Sequence, residues 1–598
     1  MPLKESTVRA KRADFRVAKF LLITATFLGM LSGCRHASIA GSPSLQQEPP
    51  IGAAPWMADG IEITSTANPQ VARYTVRPQR PADVEVQFGT DMKYGLRTWT
   101  QPADGTQPVS ILVAGMRADT TYHLRAVVHF RGGDTINDAD HTFTTGHLAA
   151  RMIPHITAQT TPGASPQPGV ELLNPAIGSK LQLLVTDLHG NILWGYDYAD
   201  RQSSDKVQFL RYVQALSTTL RNAWVGALHS IGMRSQAPAQ IWDARAWRAA
   251  PPDQKSGTLI NPAKMLPNGD ILLVIGPTSQ SRLLGPEPSC VPVMLREIDL
   301  TGRTVRQLDV STLNEELRSA GYNLHLDVIH HDVAVLPNGH WIVLANTTRS
   351  FSNLPDRSGV TEVVGDALVD LDPSLHPVWV WNEFDHLDVN RHPMDFPDWT
   401  HTNAVIYTKD DGNLIVSMRC QSWLVKIDYR DGKGSGNVLW RMGRGGDLKL
   451  LDGSDPTDWT YGQHDPEIVG ERTAGIFRLS VMDNGNNRVM QNGGICGTPG
   501  NAACYSSVSV YEIDENAKTA KLVFHHVYPT SQYSIWGGSV TSLANGNLET
   551  DLCFQQHASN IYETTTSDPS QVVWQLHMDG TNIYRSRRLS SLYPNVQW

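Results

Sequence analysis

The sequence predicts an all-β protein whose larger part is a six-bladed β-propeller, preceded by a small β-sandwich. Two observations carry the prediction. From about residue 148 to 598 one pattern of short strands and turns repeats itself, and such repeats are typical of propellers. Residues 57–147 contain short alternating strands separated by turn residues every eight to twelve positions, which is typical of a small sandwich.

One half of the repeat is a hairpin with an Asn-Gly or Asp-Gly turn, which joins adjacent antiparallel strands. Four examples lie at 265–274, 335–344, 408–416 and 543–547, and a fifth hairpin half begins near His464. The other half is an apolar strand, an acidic turn and a second strand that often carries tryptophan. Its six copies are LLVTDLHGNILWGYD, LREIDLTGRTVRQLD, LVDLDPSLHPVWVW, LVKIDYRDGKGSGNVLW, VYEIDENAKTAKLVF and IYETTTSDPSQVVWQL. Only five hairpin halves are clear, so we expect strands from both chain ends to complete the first sheet. A sandwich array or a solenoid is the alternative architecture.

The N-terminal 33 residues have the pattern of a secretory signal. Basic residues precede the apolar run FLLITATFLGML, which is short for a membrane span. The ending Leu31-Ser32-Gly33-Cys34 resembles a bacterial lipobox, and we expect Cys34 to be lipidated and to anchor the protein to a membrane. Residues 34–56 are predicted to be a tether. The expected location is the periplasmic side of the outer membrane, where disulfides are permitted.

The sandwich and an insertion in the propeller are predicted to be structural. The segment Met116–Arg125 looks like the tyrosine corner of fibronectin type III-like domains. A segment from about residue 203 to residue 250 interrupts the repeat. Its apolar residues have roughly helical spacing, which favours a short helix. Cys496 and Cys504 flank a Gly/Pro/Asn-rich loop and are candidates for a local disulfide. Proteins that bind nucleic acid usually carry an excess of basic residues, whereas this chain has a net charge of −9. Nucleic acid is therefore not an expected partner.

In three of the repeats, the innermost strand begins with polar residues. The motifs are His330-His331-Asp332, His401-Thr402-Asn403 and Gln463-His464-Asp465. Innermost strands line the central channel, so their first residues should meet at one rim. The strand that follows His401 ends at Arg419, and a hairpin returns it to the same rim. Histidines from three repeats and one arginine should therefore converge. Asp332 and Asp465 form turns or orient the neighbouring imidazoles.

These motifs resemble the PAPS-independent arylsulfate sulfotransferases of bacterial periplasms. That family combines a six-bladed propeller with a small N-terminal β domain and a histidine-rich site. Its HTN motif, followed eighteen residues later by an arginine, corresponds to His401 and Arg419. The resemblance implies that His464 is the nucleophile and that His330 or His331 also acts. Asn403 and Asp465 are expected to contact substrate. It further implies a phenolic sulfate donor, a phenolic acceptor, no cofactor and a homodimer.

The expected chemistry is sulfuryl transfer through a sulfohistidine at His464. Arg419, His401 and a histidine of the 330–331 pair would hold the sulfuryl oxygens. Two other classes of function remain open. Three histidines at a rim can ligate a transition metal, although Arg419 would oppose a cation. A propeller can also be a non-catalytic binding module, and a quinone-dependent dehydrogenase is a further alternative.

Overall fold

A computed structural model describes residues 56–57, 60–197, 258–277, 293–555 and 558–598. The predicted all-β class is confirmed. The expected helix at 203–250, the signal sequence, Cys34 and nearly all of the tether lie outside the described residues. Within those ranges, no helix has the length and hydropathy needed to cross a bilayer.

The N-terminal part is a β-sandwich of two sheets, ordered β1-β2-β6 and β4-β3-β7-β8, with β5 and β9 attached to β3 and β7. Its strands are β1 (Glu62–Ser65), β2 (Ala72–Val76), β3 (Ala82–Gly89), β4 (Leu96–Arg97), β5 (Gln101–Ala103), β6 (Val109–Val113), β7 (Thr121–Phe130), β8 (Thr135–Asn137) and β9 (His141–Thr144). The Tyr122 hydroxyl accepts a hydrogen bond from the Arg117 backbone N–H at 2.9 Å. This contact is the one expected at a tyrosine corner.

Six further sheets, numbered 1 to 6 in chain order and antiparallel except for one edge strand of sheet 5, follow the sandwich. The strands are β10 (His155–Thr160); in sheet 1, β11 (Val170–Ile177), β12 (Leu183–Thr186) and β13 (Ile192–Tyr196); in sheet 2, β14 (Thr258–Met265), β15 (Ile271–Pro277), β16 (Met294–Ile298) and β17 (Thr304–Asp309); in sheet 3, β18 (Val328–Val335), β19 (Trp341–Ser352), β20 (Val360–Leu371) and β21 (Pro377–Asn382). Sheets 4 to 6 contain β22 (Thr402–Thr408), β23 (Asn413–Met418), β24 (Trp423–Ile427) and β25 (Val438–Met442); then β26 (Lys449–Leu451), β27 (His464–Thr473), β28 (Ile476–Asp483), β29 (Ser507–Asp514) and β30 (Thr519–Val527); then β31 (Ser539–Ser542), β32 (Leu548–Gln555), β33 (Ala558–Thr564) and β34 (Val572–Asp579).

The first sheet combines both ends of the propeller segment. Strand β35 (Asn582–Leu589) pairs with β11, which gives the order β13-β12-β11-β35. Strand β35 contacts β31, the first strand of sheet 6, and β14, the first strand of sheet 2. From sheet 2 to sheet 6, the first strand of each sheet also contacts the first strand of the next. This is the arrangement of a six-bladed β-propeller. The hairpin turns form because glycine supplies the left-handed backbone that they require, as at Gly269 (φ +81°) and Gly339 (φ +85°).

Three elements of the propeller were not predicted. Strand β10 adds a fifth strand to sheet 6, and β26 adds a parallel fifth strand to sheet 5. A helix, α1 (Val310–Ser319), connects sheets 2 and 3. It begins where the Asp309 carboxylate accepts a hydrogen bond from the Thr312 backbone N–H at 2.9 Å, an N-cap contact. Its buried Leu313 and Leu317 are four residues apart, so they lie on one helix face.

The last residues of the chain join the propeller to the sandwich. The Tyr593 hydroxyl donates to the Leu112 carbonyl at 2.8 Å, and Trp598 Nε1 donates to the Arg97 carbonyl at 2.8 Å. The Trp598 ring packs edge-on against Phe88 at 5.9 Å between centroids. Strands β4 and β6 of the sandwich are therefore held directly by the segment that follows β35.

A buried ion cluster joins sheets 1 and 6. Arg588 of β35 pairs with Glu171 of β11 and lies 3.0 Å from Glu563 of β33 and 3.6 Å from Glu549 of β32. All four side chains are at most 2% exposed. Because three carboxylates share one guanidinium, removing that guanidinium leaves them buried without their cation.

We expect Arg588→Met to lower the free energy of unfolding by about 3–5 kcal/mol, the usual cost of breaking a buried ion pair from one side. Urea denaturation followed by tryptophan fluorescence measures the change. The matched control is Arg478→Met, whose partner Glu512 is 3.3 Å away on the exposed surface, where such pairs contribute about 1 kcal/mol or less. Equal effects of the two substitutions would contradict a special role for the cluster.

Candidate active site

The predicted site residues occupy one end of sheets 3, 4 and 5, at the start of each first strand. All three strands break register there, between Ile329 and Val333, between Thr402 and Ala404, and between His464 and Glu467. Such bulges re-aim side chains next to active sites. The backbone is left-handed at three non-glycine residues, His331 (φ +57°), His401 (φ +50°) and Asp465 (φ +48°). This conformation is rare outside glycine and clusters at functional sites.

The hairpin of β22 and β23 brings His401 and Arg419 together. The Arg419 backbone N–H donates to the His401 carbonyl at 3.1 Å. The Arg419 guanidinium is almost fully buried, and its Nη2 donates to Asn486 Oδ1 at 3.3 Å and to the Ile535 carbonyl at 3.4 Å. His401 Nδ1 lies 2.6 Å from Asp398 Oδ2. Burial favours a protonated Asp398, but His401, Arg419 and His330 prevail and hold the pKa of this carboxyl below its usual range.

His464 is 1% exposed and has a defined tautomer. Asn484 Nδ2 donates to the carbonyls of Ser534 at 2.9 Å and Gly537 at 3.0 Å, which turns Asn484 Oδ1 toward His464 Nδ1 at 2.7 Å. Nδ1 therefore carries the proton and Nε2 carries the lone pair. Among the described residues, the one donor to that lone pair is the Gly537 N–H, at a long 3.3 Å.

Glycine is required at position 537. Its φ of +65° is in the left-handed region. A Cβ built there would lie 2.8 Å from Cys553 Sγ and 3.2 Å from the Tyr584 ring. The absence of a side chain therefore allows the Gly537 N–H to lie close to His464 Nε2.

His464 is held in its neutral, nucleophilic form. Burial, the Arg419 charge, His401 and Arg585 lower its pKa well below the usual range, against the opposing hydrogen bond that His464 donates to Asn484. An imidazole must be uncharged to attack an electrophile. If His464 is the nucleophile, kcat/KM should therefore not decline as the pH falls through 6.5, the usual histidine value, and should decline only at clearly lower pH. A pH–rate profile measures this, and an acid limb centred near pH 6.5 would contradict it.

The two adjacent histidines of sheet 3 have different environments. His330 Nε2 lies 2.9 Å from Asp366 Oδ1, and its Nδ1 lies 2.6 Å from His331 Nδ1. Both nitrogens of His330 thus contact protein atoms. The His331 ring faces His401 at 4.7 Å and Tyr584 at 5.9 Å between centroids. Burial and the neighbouring His330, His401, His464 and Arg585 lower the pKa of His331 well below the usual range.

Asp366 is the buried acceptor behind this group. Besides His330, it accepts the Thr400 hydroxyl at 2.8 Å and the Thr402 backbone N–H at 2.6 Å. It is 0% exposed. One carboxylate of sheet 3 thereby holds His330 and both residues that flank His401.

Three further polar residues of these motifs, Asp332, Asn403 and Asp465, contact protein groups. Asp332 lies 2.7 Å from Lys264 Nζ and accepts the Val405 N–H, and Asp465 lies 2.5 Å from Arg587 and accepts the Val540 N–H. Each aspartate thus links its strand to the first strand of the next sheet. Asn403 Nδ2 donates to the Gln463 carbonyl at 2.7 Å, while its buried Oδ1 has no hydrogen-bond partner among the described residues.

The local disulfide that the sequence suggested is present, because Cys496 and Cys504 are bonded to each other.

Tyr584 is a site residue that the sequence did not indicate. It belongs to β35, and its ring lies 6.0 Å from His464 and 5.9 Å from His331 between centroids. Its hydroxyl is buried and has no hydrogen-bond partner among the described residues. Burial raises the pKa of this phenol, so the group is a neutral O–H donor at physiological pH. The ring of Trp536 is stacked on it at 6.4 Å.

The chain is similar to known proteins at two levels. Solved structures that match it include the NanB sialidase from Streptococcus pneumoniae (9% identity, 87% of this chain and 90% of that chain, TM-score 0.24). Another is an ACO/RPE65 chimera (10% identity, 90% and 96%, TM-score 0.28). No curated protein sequence matches the chain. The family model described as Arylsulfotransferase (ASST) matches residues 177–585, which include the whole rim described above. The chain therefore belongs to the arylsulfotransferase family.

Proposed function

We propose that the protein transfers a sulfuryl group from an aryl sulfate to a phenol through a sulfohistidine at His464. The observation that carries the proposal is the contact of His464 Nδ1 with Asn484, which leaves the Nε2 lone pair available close enough to Arg419 for its charge to lower the pKa of the ring. A nucleophile and a buried cation side by side suit attack on an anionic ester, because the cation offsets the charge that opposes attack. Membership of the family supports this class of chemistry.

In the first half-reaction the Nε2 lone pair attacks the sulfur, and the bond from sulfur to the aryl oxygen breaks. The departing phenolate takes a proton from His401, whose Nδ1 lies against the Asp398 carboxylate and whose Nε2 serves as the acid. The Asp398 carboxylate orients the His401 ring, as the aspartate of a Ser-His-Asp triad orients its histidine. The products are a neutral phenol and His464 with an SO₃ group on Nε2.

In the second half-reaction an acceptor phenol gives its proton to His401 and attacks the same sulfur. The nitrogen–sulfur bond breaks and His464 is regenerated. In the proposed mechanism Arg419, His331 and the Tyr584 hydroxyl are the groups that would hold the sulfuryl oxygens, because the rings of His331 and Tyr584 lie near each other and near His464. The Tyr584 O–H is a natural donor there, because a substrate oxygen would satisfy a group that the described residues leave unbonded.

The direct test is an assay of the signal-less protein with 4-nitrophenyl sulfate, with and without phenol. Release of 4-nitrophenol that depends on phenol, together with formation of phenyl sulfate, would support the proposal. Release at the same rate without any acceptor would indicate a hydrolase. The absence of release with several aryl sulfates would favour a non-catalytic binding propeller.

We also propose that the enzyme is exported and anchored by lipid at Cys34. The lipobox-like sequence supports export and a lipid anchor. The disulfide between Cys496 and Cys504 supports an oxidising compartment. Cys34→Ala should move the full-length protein from the membrane fraction to the soluble fraction. Unchanged membrane association of that variant would contradict the lipid anchor.

A further inference from the structure

Three potential metal-binding side chains meet behind the rim, at the base of the β22–β23 hairpin. They are Asp398, His401 and Cys420, and one donor atom of each lies within 4.8 Å of the others. The hairpin sets this spacing, because the Cys420 backbone N–H donates to the Thr400 carbonyl at 3.0 Å. The sulfuryl-transfer mechanism uses His401 and Asp398 but gives Cys420 no role.

The donor set has a definite chemical preference. A carboxylate oxygen, an imidazole nitrogen and a thiolate sulfur leave a fourth position open, as in three-ligand zinc sites. A thiolate selects thiophilic ions over magnesium and calcium, which prefer oxygen. Cys420 itself is buried, but the Asp398 and His401 side chains are 21% and 11% exposed. An ion can therefore enter from the carboxylate side.

We propose that Asp398, His401 and Cys420 form a binding site for one thiophilic divalent cation, best suited to Zn²⁺, whose occupancy blocks sulfuryl transfer. The block, which rests on the proposed function, has two causes. The ion takes a nitrogen of His401, the acid of the first half-reaction. The bound ion also repels the Arg419 guanidinium, whose Nη1 lies 3.8 Å from Cys420 Sγ. This repulsion disturbs the positive charge that Arg419 supplies near His464. Binding releases the Cys420 thiol proton to solvent, and no redox change occurs.

Cobalt binding tests the site without any assay of turnover. Under inert gas and without reductant, which keeps the Cys496–Cys504 disulfide intact, Co²⁺ should give one equivalent of a sulfur-to-cobalt charge-transfer band. Cys420→Ser should lose the band. The matched control is Cys553→Ser, which removes the other buried free cysteine of the described residues and should keep the band. A band that survives in Cys420→Ser, or no band in the wild type, would overturn the proposal.

Inhibition tests the consequence. With 4-nitrophenyl sulfate and phenol, Zn²⁺ should inhibit the wild type and Cys553→Ser, and EDTA should restore activity. The residual turnover of Cys420→Ser should respond at least about tenfold more weakly to Zn²⁺. Equal inhibition of all three proteins would refute the block. If no aryl sulfate is turned over at all, the proposed function fails, and the cobalt spectrum still decides the metal site.

Discussion

Replacing His464 by asparagine is expected to lower kcat for sulfuryl transfer by about 10⁴-fold or more, the scale on which loss of a covalent nucleophile acts. Asparagine keeps a polar side chain of similar size next to Asn484 but has no nucleophilic lone pair. The rate with 4-nitrophenyl sulfate and phenol measures the loss. Mass spectrometry of wild-type protein quenched after mixing with donor alone should show one added SO₃ group on the peptide that contains His464, and the variant should lack it.

The matched control is His577→Asn. His577 Nδ1 also lies 2.8 Å from an asparagine oxygen, that of Asn560, but on β34 of sheet 6 and away from the rim. This substitution should leave kcat within about twofold, because no reacting group contacts it. A comparable loss in both variants would indicate general unfolding. Full activity of His464→Asn would exclude His464 as the nucleophile and would direct the search to His331.

The fold was predictable because its signals are local. An Asn-Gly turn between apolar strands specifies a hairpin wherever it occurs. The meeting of His401 and Arg419 follows from hairpin geometry, since Thr402 is paired with Met418. The contact between His464 and Asn484 follows in the same way from the β27–β28 hairpin, where His464 is paired with Met482. Within one hairpin, sequence spacing determines which side chains meet.

Residues that come from distant strands could not be predicted in this way. Tyr584 is 120 positions after His464 in the sequence and reaches the site only because β35 completes sheet 1. Asp366 lies in the middle of β20, where the sequence VVGDALVDL suggests only a buried strand. A buried aspartate in such a strand needs partners, and that need was the available signal. Which partners it has depends on the packing of sheet 3 against sheet 4.

The choice between His330 and His331 also required the structure. Adjacent residues of an ideal strand face opposite sides, but this strand breaks register at the pair. The left-handed backbone of His331 turns its ring toward His401 and Tyr584, while Asp366 holds His330. We therefore expect His331 to contact the substrate and His330 to position the His331 ring.

Replacing Arg419 by alanine is expected to lower kcat/KM by about 10²–10³-fold, the usual cost of removing one preorganised group that stabilises transition-state charge. Arg419→Lys should recover only part of the loss, because an ammonium lacks the planar fork of a guanidinium. Arg441→Ala is the control. It removes a guanidinium of the same sheet that pairs with Asp447 at 3.2 Å near the surface, and it should change the rate less than about twofold.

The pH profile distinguishes this role from simple support of the fold. The Arg419 charge is one of the causes that lower the pKa of His464, second to burial. In Arg419→Ala that pKa should rise, because a nearby positive charge disfavours the imidazolium and its removal relieves the repulsion. More His464 is then protonated at a given acidic pH, so the acid limb of kcat/KM should move to higher pH than in the wild type. Arg419→Lys keeps the charge and should leave the limb nearly unmoved. A uniform loss of rate at every pH in both variants would mean that Arg419 only supports the rim.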